Sequence, residues 1–514
     1  MPSLAQARAR RKRRKNPRIL IVTPEITYLP QGMGNMANRM TAKAGGLADV
    51  SSSLVSALFE LGADVHVALP HYRRMFHIDA GKLINEELRV YMNKLPRDRI
   101  HLAEDRCFYY RDAVYDNDEW SNKKVALAFQ REVINNIIPS VDPDLIHCND
   151  WMTGLVPAAA RRMDIPSLFT VHNIHTYDMT LAQIEDSGID AAGFWKYLFY
   201  NWPPYDYEGA REHNPVDLLA SGIFAAHFIN TVSPTFLDEI CNGQHDFIPD
   251  NIRSEISQKN FHGCASGILN APDPDCDPST DSLLEHHYTP ETHVEGKQIN
   301  KKTFQQRVGL SVDPNAPIFF WPSRLDPVQK GCQLLSDILY DIVSSYHDQN
   351  LQIAIVANGA YQGVFHDIVR MHDFSDRVAV CDFAEPLSRH AYAASDFMII
   401  PSLFEPCGLP QMVSSIYGSL PIARDTGGLH DTVTHLDIDS SSGNGFIFRD
   451  YDSNGLRWGI DEAMRFFSQP AEIREAQITR IMNESKSRFN HQTTANAYFE
   501  IYKKMLNRPI VREF

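Results

Sequence analysis

Short apolar runs, each leading into a polar or glycine turn and then a helical stripe, constrain the fold of this chain more than any other feature. Arg18-Ile-Leu-Ile-Val-Thr23 is the first such run and reads as a buried strand. After a long loop, a helix opening at Gly45 sets Leu47, Val50, Leu54, Leu58 and Leu61 on one stripe. Gly62 stops it, and Val65, Val67 and Leu69 then alternate as a strand does. Residues 18–70 are therefore a β-loop-α-β unit with its glycines at the carboxyl end of the first strand, the edge where open α/β sheets bind ligands. Leu145–His147 and Ser167–Val171 read as further strands. The second half restarts the pattern. Ala316–Trp321, Leu351–Val356, Val378–Val380 and Phe397–Ile400 read as strands separated by helical stretches, as in a doubly wound sheet. Pro410 suits the first turn of a helix running to Gly418, Leu420–Ala423 makes another strand, and Thr426-Gly-Gly428 another glycine turn into a helix. The fold class is α/β.

A chain of 514 residues exceeds what one hydrophobic core usually supports, so two domains are expected. Gly267–Asp275 is rich in Pro and Asp, suits no regular element and marks the linker. The expected division is a basic, disordered tail at 1–17, an N-terminal domain at 18–270, a C-terminal domain at 271–485, and a helical segment at 486–514 that packs back on the N-terminal domain. Residues 1–18 hold eight Arg or Lys and no acid, which leaves 64 acidic against 41 basic residues in the remainder. An acidic body of that kind repels nucleic acid. No apolar run reaches the roughly 18 residues of a membrane span, so no membrane partner and a cytoplasmic location are expected. The eight cysteines are scattered without CxxC or metal-ligand spacing, which favours reduced thiols.

Two stretches concentrate the chemistry. Lys43-Ala-Gly-Gly-Leu-Ala-Asp49 and Phe404-Glu-Pro-Cys-Gly-Leu409 each set a charged side chain on a glycine turn before a helix, where unpaired backbone N–H groups and the helix dipole suit an anion such as phosphate. Arg324 and Lys330, six residues apart after a strand, could clamp a diphosphate, although surface cations on a loop explain them as well. Glu405 at a helix start could be stabilising only. His172, after a buried strand, could hydrogen-bond a hydroxyl-rich ligand or be structural. Asp150-Trp151 pairs a carboxylate with an aromatic face, which suits a sugar ring or a packed core equally.

Taken in order, these stretches resemble the bacterial glycogen synthase and plant starch synthase family. Besides the Lys43–Asp49 loop, the resemblance rests on Leu69–Tyr72, His147–Trp151, Val171–Asn173, Thr231–Thr235, Gly267–Asn270, Ser323–Arg324 with Lys330–Gly331, Pro401–Leu409, Thr426–Leu429 and Gly443–Phe446. It implies two Rossmann-like domains facing a central cleft, the GT-B arrangement, closing about a hinge. It also implies a retaining transfer of glucose from ADP-glucose or UDP-glucose to the non-reducing end of an α-1,4-glucan. Carried over by position, Lys43, Gly45, Gly46, Asn270, Tyr392, Thr426, Gly427 and Gly428 would bind the donor. His172, Arg324, Lys330 and Glu405 would act on the transferred glucose and departing diphosphate, and Asp49, Asp150, Trp151 and Asn173 would meet the acceptor. The family implies neither metal nor cofactor. The same fold and donor with a small sugar acceptor, as in sucrose- or trehalose-type synthases, is the alternative enzyme, and a catalytically silent glucan scaffold the alternative class. Departures from the family pattern lie on the acceptor side in the long Thr27–Thr41 loop with Gly32-Met-Gly-Asn35, which suggests a flexible flap, His175-Thr-Tyr-Asp178, and the missing lysine in Asn214–Leu219, and elsewhere in Leu403, in Ala271-Pro272 at the hinge and in Val328 of the Arg324–Lys330 loop.

Overall fold

The computed structural model describes residues 11, 14–34, 37, 40–76 and 98–511. Most of the basic tail and part of the Thr27–Thr41 loop, Asn35 included, lie outside them. The chain divides into two compact units. The first comprises the described residues of Met1–Val232, Leu237–Ile268 and His491–Phe514, and the second Ser233–Phe236 and Leu269–Asn490.

The first unit is built on β1 (Arg18–Val22), helix α1 (Gly46–Glu60), β2 (Asp64–Pro70), β3 (Ile100–Ala103), β4 (Leu145–Asn149), β5 (Ser167–Val171), β6 (Phe228–Thr231) and β7 (Ala265–Gly267). Its strands pair in the order β3-β2-β1-β4-β5-β6-β7, every pair parallel. The second unit carries β8 (Ile318–Trp321), α2 (Cys332–Ser345), β9 (Gln352–Val356), β10 (Val378–Cys381), β11 (Phe397–Ile400), α3 (Pro410–Ile416), β12 (Leu420–Arg424), α4 (Gly427–Thr432) and β13 (Phe446–Phe448). Its order is β10-β9-β8-β11-β12-β13, again all parallel. Both sheets reverse strand order beside their first strand, at β1/β4 and at β8/β11. That is the point where the carboxyl ends of a doubly wound sheet leave room for a ligand.

Parallel strands covered on both faces need apolar residues at every position, which is why the sequence shows unbroken runs. In the second unit Phe319, Trp321, Ile353, Ile355, Phe397 and Ile399 enter one core, while Ile318, Phe320, Ala354, Val356, Met398 and Ile400 enter the other. Successive side chains alternate between the two faces.

The chain ends in α5 (His491–Leu506), which belongs to the first unit. A buried relay fixes it there. The Tyr502 hydroxyl is 2.7 Å from His147 Nδ1, His147 Nε2 is 2.6 Å from Thr170 Oγ1, Thr170 donates to Asn230 Oδ1 at 2.6 Å, and Asn230 Nδ2 donates to the Tyr498 hydroxyl at 3.1 Å. Because Thr170 spends its proton on Asn230, His147 donates from Nε2 and accepts from Tyr502 at Nδ1. Burial pushes the His147 imidazole down to about 3, so it is neutral at physiological pH.

Arg11 and Arg14, described residues of the basic tail, are held by ion pairs, while residues 1–10, 12 and 13 of the expected disordered tail lie outside the described residues. Arg11 pairs with Asp142 at 3.0 Å and Arg14 with Asp144 at 3.0 Å, while Arg508 reaches the other oxygen of Asp144 at 2.7 Å. Asp142 and Asp144 are both buried, and burial without these cations would be costly.

Candidate active site

In the second unit, Arg324 and Lys330 lie on the loop after β8. Arg324 is exposed and its guanidinium makes no hydrogen bond or ion pair among the described residues. Lys330 instead meets Glu405 Oε2 at 2.6 Å, and the Ser402 hydroxyl donates to the same oxygen at 3.1 Å. Glu405 Oε1 is left without a partner among the described residues. Its backbone is braced from the neighbouring turn, where the Gly428 N–H donates to the Glu405 carbonyl at 2.9 Å. That approach requires glycine, since a Cβ on residue 428 would lie 2.0 Å from the Cys407 carbonyl oxygen. Gly331, with φ +72°, closes the Lys330 loop against the Pro401 carbonyl, which a Cβ would meet at 2.3 Å. Asn270 begins the unit, is 7% exposed, and has a buried Oδ1 with no partner. A buried acceptor in that state calls for a donor from outside the chain.

In the first unit, residues beyond the carboxyl ends of β1, β4 and β5 come together. Asn149 Nδ2 donates to the Val22 carbonyl at 3.2 Å, which turns its Oδ1 toward His172 Nε2 at 3.0 Å. His172 therefore carries its proton on Nε2 and keeps Nδ1 as a lone-pair acceptor. Burial lowers its pKa to about 3, so it is neutral in use. Asp150 accepts from the His172 N–H at 2.7 Å and fixes the turn after β5. Burial raises its carboxyl to about 8, and its backbone sits at φ 55°. A non-glycine residue held there stores on the order of 1–3 kcal/mol, a feature that clusters at functional sites.

Several expected ligand contacts are occupied within the protein. Asp49 is buried, accepts from the Thr27 hydroxyl at 2.6 Å and pairs with Lys43 at 3.0 Å, so it anchors the loop rather than presenting a face to acceptor. The Gly45 N–H, expected to meet phosphate, donates to Glu25 Oε2 at 2.9 Å, and the Ala44 N–H to the same oxygen at 2.8 Å. Gly46 is the first residue of α1. Trp151 is 2% exposed, with its ring against the edges of His175 and Tyr177, and offers no open face to a sugar. Asn173 is exposed and spends its Oδ1 on the His175 N–H at 2.8 Å. Tyr392 is 8% exposed and packs on Phe320 and Tyr417 in the core rather than standing open. Of Thr426, Gly427 and Gly428, all buried, the last gives its N–H to Glu405. Glu25, Asn149 and Ser402 were not singled out from sequence. Glu25 had one signal, a carboxylate three residues past the end of a buried strand.

Comparison with known proteins bears on what these groups serve. Residues 18–251 match the family model of the starch synthase catalytic domain, and residues 316–465 match that of glycosyl transferases group 1. A glycogen synthase from Exiguobacterium sibiricum is 30% identical, covering 90% of this chain and 96% of the relative. The chain belongs to the glycogen synthase family. A second member, from Moorella thermoacetica, is 30% identical over 96% of this chain and 97% of its own. The catalytic domain of starch synthase IV from Arabidopsis thaliana, solved with ADP and acarbose, superposes with a TM-score of 0.75 at 26% identity, covering 96% of this chain and all of that one. A sucrose-phosphate synthase from Thermosynechococcus elongatus shares the fold alone, at TM-score 0.57 and 16% identity. Membership of the glycogen synthase family makes the protein a nucleotide-sugar-dependent glycosyltransferase with the two-domain GT-B fold. Among the described residues no helix is long and apolar enough to cross a membrane.

Proposed function

We propose that this protein moves glucose from ADP-glucose to the non-reducing end of an α-1,4-glucan with retention of configuration, without a bound metal or cofactor and in the cytoplasm. The observation that carries the reading is the state of Arg324, Lys330 and Glu405. An ammonium has three donors, so Lys330 can hold Glu405 and still reach a phosphate. Arg324 has its whole fork unspent, suited to the same diphosphate. Glu405 keeps Oε1 for a sugar hydroxyl or for positive charge at the anomeric carbon, and Asn270 Oδ1 accepts from a further hydroxyl. His172 accepts a hydrogen bond from a sugar hydroxyl at Nδ1. As the bond to the leaving phosphate lengthens, charge grows on that oxygen. Fixed donors aimed there are worth roughly 2.7–4 kcal/mol each in comparable sites. The choice of ADP over UDP is supported by the starch synthase IV relative, solved with ADP.

Nucleotide release measured with ADP-glucose and UDP-glucose, each with glycogen, maltotriose, fructose or no acceptor, tests the reading. Release that needs glucan and favours ADP-glucose is expected. Release with fructose alone, or equal release without acceptor, contradicts it.

A further inference from the structure

Glu25 is a buried carboxylate that joins the Lys43 loop to a distant chain segment at Tyr115. It is 2% exposed, past the carboxyl end of β1. Oε2 accepts from the backbone N–H groups of Ala44 and Gly45, while Oε1 accepts from the Tyr115 hydroxyl at 2.8 Å. Its carboxyl is pushed up by burial, with the Asp49 charge adding in the same direction. A desolvated carboxylate close to another acid is an expensive group to keep. An apolar side chain would fill the space behind the loop at less cost, but it would leave two N–H groups without acceptors.

The two N–H groups it binds belong to the turn that the sequence marks as an anion cradle. The protein has filled the outer part of that cradle with its own anion. Meanwhile Asp49 anchors Lys43 from α1, so the loop is held at two points by two carboxylates, one on each side of Gly45. Gly45 itself has open space where a Cβ would stand, so packing does not hold the turn, and hydrogen bonding does. We propose that Glu25 is a positioning residue for donor binding: it sets the backbone of Ala44 and Gly45, and through it the reach of Lys43 toward the nucleotide sugar, with Tyr115 orienting the carboxylate. This rests on the reading of the Lys43 loop as part of the donor site.

Glu25→Ala and Glu25→Gln, assayed with ADP-glucose and glycogen beside the wild-type protein, test it. Wild-type turnover comes first, because its absence sinks the donor-site reading itself and says so independently of Glu25. With an active wild type, Glu25→Ala is expected to raise KM for ADP-glucose at least tenfold with kcat changed less than threefold. Amide hydrogen exchange in the peptide spanning residues 42–47 should quicken. Added formate, a carboxylate small enough for the vacated space, should lower that KM at least threefold. Glu25→Gln keeps an acceptor for both N–H groups and an amide for the Tyr115 oxygen, so its melting temperature and donor KM should stay near wild type. An unchanged KM in Glu25→Ala, a loss shared equally by kcat and KM without formate rescue, or a tenfold KM rise in Glu25→Gln would overturn the assignment.

Discussion

Glu405 and Lys330 share one ion pair at 2.6 Å, and the proposed function divides the donor between them, Glu405 on the sugar and Lys330 on the phosphate. Replacing Glu405 with Ala removes the carboxylate that serves the sugar and leaves Lys330 with all its donors for phosphate. Turnover is expected to fall by two orders of magnitude or more while ADP binds no more weakly, as calorimetric titration would read. A parallel loss of ADP affinity contradicts the assignment. Arg324 differs because no protein group depends on it. Arg324→Ala should weaken ADP binding and turnover together with no change in melting temperature, and an unaltered Kd removes Arg324 from the site. Sequence singles out these three residues because they follow apolar runs, and the carboxyl ends of parallel strands are where a doubly wound sheet exposes side chains; their roles are what these variants test. Trp151 and Asp49 misled for the converse reason. Whether an aromatic ring or a carboxylate faces outward depends on neighbours such as Tyr177 and Thr27, from distant segments, which no local pattern contains. Glu25 escaped notice because its partners at 44, 45 and 115 are joined to it only by the fold.

Helix α5 is tied to its sheet by a relay in which each group has one available role. Tyr502→Phe removes the donor to His147 Nδ1 and leaves a buried acceptor bare, so unfolding should become easier by about 1–3 kcal/mol in urea titration. The same relay gives a pH dependence. His147 is held near 3 against an ordinary value of about 6.5, so the unfolded chain binds protons first as pH falls. Its contribution is complete above pH ~6.5 and is lost as pH drops toward 3. Asp150 has the opposite sign: its carboxyl, raised to about 8 by burial, contributes stability that fades as pH climbs from about 4 to about 8. His172, held near 3 by burial, adds to His147 with the same sign, so Asp150 offsets only one of the two histidines between about pH 4 and 6.5. Urea midpoints should therefore rise over that range and fall from about 6.5 to 8, and His147→Gln should level the acid side only. The glycine turn at α4 is a backbone contact rather than an anion site, so Gly428→Ala is expected to cost about 1–3 kcal/mol by overpacking and to lower turnover by shifting Glu405. Elements with long apolar runs, such as β5 and β11, were readable to the residue. The short edge strands β3, β7 and β13 were not, because three or four residues at a sheet margin, such as Ala265–Gly267, carry too little apolar pattern to stand out from a loop.

At the scale of the molecule, one topology is used twice. Each unit places its candidate groups at or past the carboxyl ends of the strands: Asn149, Asp150 and His172 in the first, Arg324, Lys330 and Glu405 in the second. This repetition was the most legible property of the chain, since buried parallel strands impose the same apolar pattern wherever they occur. The acceptor side was the least legible: sequence left Trp151 open between a sugar contact and a packed core, and the structure buries both it and Asp49, which the resemblance alone had set against the acceptor. The central claim is a glucan-extending, retaining transfer, and the product tests it most directly. Proton NMR of the purified protein acting on ADP-glucose and maltotriose should show maltotetraose whose new residue is α-1,4-linked at the non-reducing end. A β-linked product, or free glucose with maltotriose untouched, would contradict the account.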